Sequence, residues 1–359
     1  MRSAATTSCE PSAEAAPARI LVRAPTWVGD VVMATPALRA LKTAHPQAEL
    51  VLEARPFMRE LVDGLATVDA FLPDASGDAG RGVRAVLSRA ARLRSERFDW
   101  AVLLPDSARA AAAPFLARIP VRVGYARDPL RRAMLTRSLE PPSVDGKRVP
   151  ISMVERYLRL TRELGCPDRG EQLDLAIDES ARRHVRARLE AAGGPASGDY
   201  VVVTPGANFG ASKLWPAEHF ATACDRLARE HGLCPVLAPG PGEEAIVAAI
   251  AERMQEKPVT LVDPVTGLAG LAALIDDARL LLTNDTGPRH IAVARGTPVV
   301  VVMGPTDPRH TAHLLERQRV LREDVDCSPC HLKVCPIDHR CMTRLSPERA
   351  VQAAEELLS

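Results

Sequence analysis

The sequence predicts an α/β chain built twice, as two domains with parallel sheets, helices on both faces, and a cleft between them. Three observations carry this. Short apolar runs rich in Val, Ile and Leu alternate with longer stretches of helical periodicity. The alternation runs through residues 19–165 and starts again after the Gly/Pro/Ser-rich run at 193–198. Hydrophobic residues make up 46% of the 359, enough for two domains with cores of their own.

In chain order, residues 19–24 (RILVRA) form the first expected strand, and 25–30 the turn after it. Residues 31–44 carry a helical pattern that stops at His45-Pro46. Strands are expected at 49–53, 68–72, 100–104 and 121–124, with helices at 57–64, 83–97 and 108–117. Residues 125–150 hold Pro129, Pro141, Pro142 and Pro150 without clear periodicity and predict a long loop. Helices follow at 151–164 and 179–192. In the second half, strands are expected at 200–204, 234–238, 259–262, 278–282 and 299–303. The helices between them fall at 217–230, 243–253, 268–275 and 288–295, the last stopped by Gly296. Ser346-Pro347-Glu348 opens a final helix. The expected organisation is a disordered leader (1–18), two α/β domains (19–165 and 166–345) and a C-terminal helix (346–359).

Composition narrows the function. A formal net charge of +1 argues against a chain built to grip nucleic acid. No apolar run approaches the ~18 residues of a membrane span. The Ala/Ser/Pro-rich leader, with Glu10 and Glu14, lacks the apolar centre of an export signal, which places the chain in the cytoplasm. Charge is uneven, however. Between residues 81 and 148 there are fifteen Lys/Arg against six Asp/Glu. Such a surface would draw an anionic partner, and Arg127, Arg131 and Arg132 within 125–150 are the expected contacts.

The chemistry-bearing residues sit in turns that follow strands. In open parallel sheets, ligands bind at that edge, where helix N-termini present free N–H groups to phosphates. The first such turn carries Asp30 at a helix start, where a carboxylate can be a plain cap or something more. It holds one glycine, Gly29, not the three of a dinucleotide fingerprint, which disfavours an NAD enzyme. The second carries Thr204, Gly206 and, before a helix, Lys213. A lysine there opposes the helix dipole, a conflict that a bound anion resolves. The third carries Gly240, Gly242 and Glu244. The fourth, Asn284-Asp285-Thr286-Gly287, leads into a helix with His290, and Asp285 or Thr286 can equally serve as its cap. Together these groups suit a diphosphate and a ribose.

Four motifs in this order carry a resemblance. They are Pro25-Thr26-Trp27-Val28-Gly29-Asp30, Pro205-Gly206-Ala207 with Lys213-Leu214-Trp215-Pro216, Asn284-Asp285-Thr286-Gly287 with His290, and Gly304-Pro305-Thr306-Asp307-Pro308. Over residues 19–357 the chain resembles glycosyltransferase family 9. Trp-Val-Gly-Asp and the cysteine-rich tail are most similar to its group acting with ADP-heptose on lipopolysaccharide. The resemblance implies a GT-B fold of two Rossmann-like domains, with the acceptor on the first and the nucleotide-sugar on the second. It implies inverting transfer of L-glycero-D-manno-heptose from ADP-heptose to the inner core of a lipid A–core acceptor at the inner membrane surface. By the same resemblance Asp30 is the general base, Lys213 the diphosphate contact and Glu244 a ribose contact. Asp285, Thr286, Gly287 and His290 hold the donor. Two stretches depart from the family pattern: the basic segment 125–150, and Pro288-Arg289, where a small or apolar pair is commoner. Arg289 is expected to add a phosphate contact or alter the donor.

An inverting transfer needs a base at the acceptor hydroxyl and positive or N–H groups on the departing diphosphate. Lys213 and a helix N-terminus supply the latter, so no catalytic cofactor is expected. Near the end, Cys327, Cys330, Cys335 and Cys341 have a spacing that fits a structural zinc or a set of reduced thiols. Two other functions remain open: a family relative using another nucleotide-sugar, and a two-lobed solute-binding protein.

Overall fold

The structure, a computed structural model, describes residues 16–74, 82–196 and 198–359. The expected leader lies outside the described residues up to residue 15, as do Cys9, Arg81 and Ser197.

The first sheet consists of β1 (Arg19–Arg23), β2 (Glu49–Ala54), β3 (Ala70–Pro73), β4 (Trp100–Leu103), β5 (Val121–Tyr125) and β6 (Arg137–Leu139). All pairs are parallel, in the order β3-β2-β1-β4-β5-β6. A small antiparallel hairpin, β7 (Ser143–Val144) and β8 (Lys147–Arg148), follows. The second sheet repeats the first, with β9 (Gly198–Thr204), β10 (Cys234–Leu237), β11 (Val259–Thr260), β12 (Ala278–Asn284), β13 (Val299–Val302) and β14 (Gln318–Leu321) in the order β11-β10-β9-β12-β13-β14. Each sheet therefore has the doubly wound order that reverses once, between β1 and β4 and between β9 and β12. The central strands are apolar along their length because helices cover both faces, and all four residues of β13 are buried.

Helices α1 (Val28–Met33), α2 (Thr35–Ala44), α3 (Arg59–Val62), α4 (Val83–Ser95), α5 (Ala108–Leu116), α6 (Pro129–Met134) and α7 (Met153–Glu163) surround the first sheet. Around the second lie α8 (Glu179–Ala191), α9 (Ala217–His231), α10 (Glu244–Ala251), α11 (Leu268–Asp276), α12 (Gly287–Arg295), α13 (Arg340–Thr343) and α14 (Pro347–Leu358). The final helix is part of the second core, where Val351 and Ala354 pack with Phe220 and Val300.

Three expectations need correction. The single helix expected over 31–44 is two, broken at Ala34, because Pro36 has no N–H for a continuing ladder and instead sits in the first turn of α2. Residues 125–150 are not a structureless loop. Asp128 caps α6 by accepting from Arg131 N, with Pro129 at its first position. Asp145 (φ 50°) and Gly146 (φ 73°) form the two-residue turn of the hairpin. The last strand, β14, is an addition to the expected set, its apolar pattern interrupted by Gln318 and Arg319.

The two halves touch through glycine. A Cβ on Gly29 in α1 would lie 2.5 Å from His290 Cδ2, and one on Gly287 in α12 would lie 2.8 Å from Val28 Cβ. Only backbone without a side chain permits that approach. It brings the helix after β1 against the helix after β12, joining the two switch points.

Candidate active site

On the second domain the site is organised around the Asp285 carboxylate, which is buried. Its Oδ2 accepts from Lys213 Nζ and from Thr306 Oγ1, both at 2.7 Å. Its Oδ1 accepts from Arg289 Nη1 at 3.1 Å. Burial pushes this carboxyl up, but Lys213 and Arg289 overcome that and hold it well below the usual carboxylate range. Asp285 is therefore not the helix cap; Thr286 holds the N-cap position of α12 but makes no side-chain capping bond, its hydroxyl donating instead to Asn284 O at 3.3 Å. Lys213 Nζ also donates to Asp285 O at 2.7 Å and lies 5.3 Å from the Phe209 ring centroid.

Asn284, absent from the sequence-derived site, clamps two strand-end turns together. Its Oδ1 accepts from Trp215 N at 3.2 Å, and its Nδ2 donates to Pro205 O at 2.6 Å. Thr204 turns into the sheet instead, donating to Thr283 Oγ1 at 2.7 Å, with both residues buried. A Cβ on Gly206 would lie 1.8 Å from the Glu243 carboxylate, so any side chain there would displace that carboxylate. Glu243 Oε2 accepts from Gly240 N at 2.7 Å, and burial raises its carboxyl above the ordinary value. Glu244, the expected ribose contact, is exposed at the start of α10. Its half-buried neighbour Glu243 faces Gly206 and Gly240 instead.

Arg289 also differs from expectation. It is 1% exposed and lies behind Asp285, donating from Nε and Nη2 to Gln318 Oε1 at 3.0 and 2.8 Å and from Nη1 to Thr311 Oγ1 at 2.9 Å. So placed, it cannot contact a phosphate itself. His290 is buried, and burial, then Arg289 and His313, keep it neutral at pH 7. Its ring stacks on that of His313, 5.6 Å between centroids and 8° from parallel. Its Nδ1 is buried without a hydrogen-bond partner.

Asp30 faces this cluster from the first domain. It does not cap α1, whose N-cap residue is Trp27, and the helix start has no side-chain cap bond. Burial raises the Asp30 carboxyl from an ordinary 3.8 to about 6, with Lys213 lowering it and Asp285 raising it. A helix N-terminus favours ionisation of a carboxylate, but desolvation outweighs that here. A carboxyl poised near neutrality, where the two halves meet and within electrostatic reach of a lysine, is suited to taking a proton.

The expected acceptor arginines separate on folding. Arg131 is 0% exposed and cannot meet an acceptor. Its Nε donates to Tyr125 O at 2.7 Å and its Nη1 to Ser107 O at 2.5 Å, so it ties α6 to the carboxyl ends of β4 and β5. Arg132 pairs with Glu140 on the surface, and Arg127 is exposed. Lys147 and Arg148 on the hairpin are exposed as well.

The family model for glycosyltransferase family 9 (heptosyltransferase) matches residues 86–340. The chain belongs to this family. Lipopolysaccharide heptosyltransferase 2 of Salmonella typhimurium is 28% identical over 356 residues, covering 95% of this chain and 99% of the relative. The enzyme of the same name from Escherichia coli K12 is 29% identical over 314 residues, covering 85% and 88%. Among solved structures, E. coli ADP-heptose lps heptosyltransferase II superposes with a TM-score of 0.74 at 26% identity, over 95% of this chain and 98% of that one. Asp30 and the motif residues before residue 86 fall outside the span the family model matches, but the full-length relatives cover that half too.

In this family 9 chain the cysteine loop braces the Lys213 and Thr306 side of the site from behind. Ser212 N donates to Lys333 O at 3.0 Å, and Ser212 Oγ to Leu332 O at 2.5 Å. Cys330 N and His331 N donate to Pro305 O at 3.1 and 2.9 Å. These contacts fix the turns that carry Lys213 and Thr306. As zinc ligands the cysteines are incompletely arranged. Cys341 is buried, Cys335 half-buried, and Cys327 and Cys330 exposed. Among the described residues, only Glu230, His231 and Glu355 bring three possible ligand atoms within 4.8 Å, so the thiols do not form a closed tetrahedral shell. No helix among the described residues is long and apolar enough to cross a membrane.

Proposed function

We propose that this chain is an inverting heptosyltransferase that moves heptose from ADP-heptose to the inner core of lipopolysaccharide. The observation that carries the reading is Asp30, set across the domain interface from Lys213 and Asp285, so that a base on one half faces the diphosphate side of the other. Asp30 takes the proton of the acceptor hydroxyl as its oxygen bonds to the anomeric carbon from the side opposite the diphosphate. The bond from that carbon to the diphosphate oxygen breaks, and ADP leaves with the charge. Lys213 and the N–H groups at the start of α12 meet that charge. His290, neutral and packed on His313, serves as a hydrogen-bonding group rather than a cation. The full-length heptosyltransferase 2 relatives support the donor and acceptor. Release of ADP from ADP-heptose only when a lipid A–core acceptor is present tests the assignment. Equal release with another nucleotide-sugar shifts it to a family relative of different donor, and tight ADP binding without turnover to a binder.

The acceptor is an anionic amphiphile, and the first domain has surfaces of both kinds. Trp27, Phe57 and Leu130 are exposed on segments that follow β1, β2 and β5. Arg127, Arg132, Lys147 and Arg148 lie on the exposed segment beyond β5. The reading places the chain at the cytoplasmic face of the membrane as a peripheral protein. The apparent acceptor KM is expected to rise with ionic strength, because attractions between exposed charges are screened beyond ~8–10 Å. An acceptor KM independent of salt counts against the basic surface.

For the cysteine loop the reading is a structural zinc, outside the chemistry, bound when the exposed end carrying Cys327 and Cys330 folds toward Cys341. Both ends of that span already meet at one strand end: Cys330 N bonds Pro305 O, and Cys341 Sγ is 2.8 Å from a Cβ placed on Gly304. Purified protein is expected to carry about one zinc, lost on Cys330→Ser. Metal-free protein of unchanged melting temperature refutes it.

A further inference from the structure

The two cations on Asp285 occupy different oxygens. Lys213 and Thr306 hold Oδ2, and Arg289 holds Oδ1. They also differ in what they can reach. Lys213 lies within electrostatic reach of Asp30 on the other half, its side chain 12% exposed at the end of a flexible stem. Arg289 is 1% exposed and locked on the far side by Gln318 and Thr311. Gln318 is itself held, its Nε2 donating to His313 O at 2.7 Å and to Leu314 O at 2.9 Å. The guanidinium therefore has no freedom to leave.

This matters because Lys213 is shared. In the structure it is committed to Asp285, through the carboxylate and the carbonyl. Two of its three N–H donors are used there, so a diphosphate that draws the full charge of the lysine competes with Asp285 for it. A buried carboxylate that loses its only cation is left uncompensated, which is strongly unfavourable. Arg289 changes that balance, since with Lys213 gone Asp285 keeps Arg289 on Oδ1 and Thr306 on Oδ2.

Building on the donor-site reading above, we propose that Arg289 is a positioning residue. It holds one oxygen of Asp285 so that Lys213 can move from the other oxygen to the diphosphate of the donor. Arg289 does not touch the nucleotide; it sets how readily Lys213 is released. The fixed arginine neutralises the fixed aspartate, and the mobile lysine is free for the ligand.

The test is ADP affinity, measured by calorimetry on the full chain, in a double-mutant cycle of Arg289→Met with Lys213→Ala. Arg289→Met alone is expected to weaken ADP roughly tenfold, within the range for coupled neighbouring charges. In the Lys213→Ala background the same change is expected to weaken ADP no further. Equal losses in both backgrounds mean Arg289 only supports the fold, and no loss in either removes it from donor binding; both results overturn the proposal. Arg289→Gln keeps polar contacts without charge and carries the same cycle where the methionine variant does not fold. Arg289→Lys keeps the charge without the fork that Gln318 and Thr311 hold, and is expected to fall between the parent and Arg289→Gln. A folded Arg289→Lys as weak as Arg289→Gln also overturns the proposal. Failure of the donor-site reading looks different, because Lys213→Ala would then bind ADP like the parent whatever stands at position 289.

Discussion

Asp30→Asn is expected to lower turnover by roughly 10²–10⁴-fold while leaving ADP affinity unchanged. The expectation rests on place and on protonation. Asp30 faces Lys213 and Asp285 across an interface closed by Gly29 and His290, and its carboxyl titrates at about 6. A base works ionised, so kcat/KM is expected to rise with pH through about 6 and then level off. The asparagine variant should lose that acid limb. Stability has the opposite sign. The folded carboxyl keeps its proton to higher pH than the ordinary 3.8, so the native state binds more protons than the unfolded chain between about 4 and about 6. Ionisation of Asp30 therefore costs stability as pH rises through that window. Asparagine carries no such cost, so the variant is expected to melt no lower than the parent at pH 7. Inactive, well folded and ADP-binding is the signature of a catalytic group held at the expense of stability. Turnover within a few-fold of the parent sinks the catalytic assignment.

Lys213→Ala is expected to weaken ADP by about 1.5–3 kcal/mol, the worth of one hydrogen bond to a charged group. That is roughly a 10- to 150-fold rise in Kd. The fold should survive, because Asp285 retains Arg289 and Thr306. A second consequence is independent of ADP. Lys213 lowers the Asp30 carboxyl and Asp285 raises it, so removing Lys213 should move the acid limb of the pH profile to higher pH. An unchanged ADP affinity takes Lys213 out of the site, and an unmoved acid limb breaks its coupling to Asp30.

The sequence by itself determined the two doubly wound halves and most of the strand-end turns. Those follow from local pattern. The four valines of β13 have no other economical place than a strand covered on both faces, and Gly296 stops α12 at φ 74° because glycine alone adopts that turn freely. The ordered motifs also brought Asp30, Lys213, Asp285 and His290 to attention. Residues 125–150 were legible in principle: Asp128-Pro129 is a helix start and Asp145-Gly146 a hairpin turn, signals outweighed by the surrounding prolines.

Only the tertiary structure decided the rest. Arg131 and Arg132 are adjacent and chemically identical in the sequence, yet one is buried on the carbonyls of Ser107 and Tyr125 and the other pairs with Glu140 in solvent. Glu243 turns inward and Glu244 outward for the same kind of reason. Arg289 became the far-side partner of Asp285 because Gln318, on a strand the pattern concealed, holds its guanidinium. The working protonation of Asp30 was least legible. Its titration depends on desolvation and on Lys213 and Asp285, which approach only when α1 packs on α12. Backbone pattern is written locally, but burial and charge fields sum over residues far apart in the chain, so a side chain's environment exists only once the fold has assembled it.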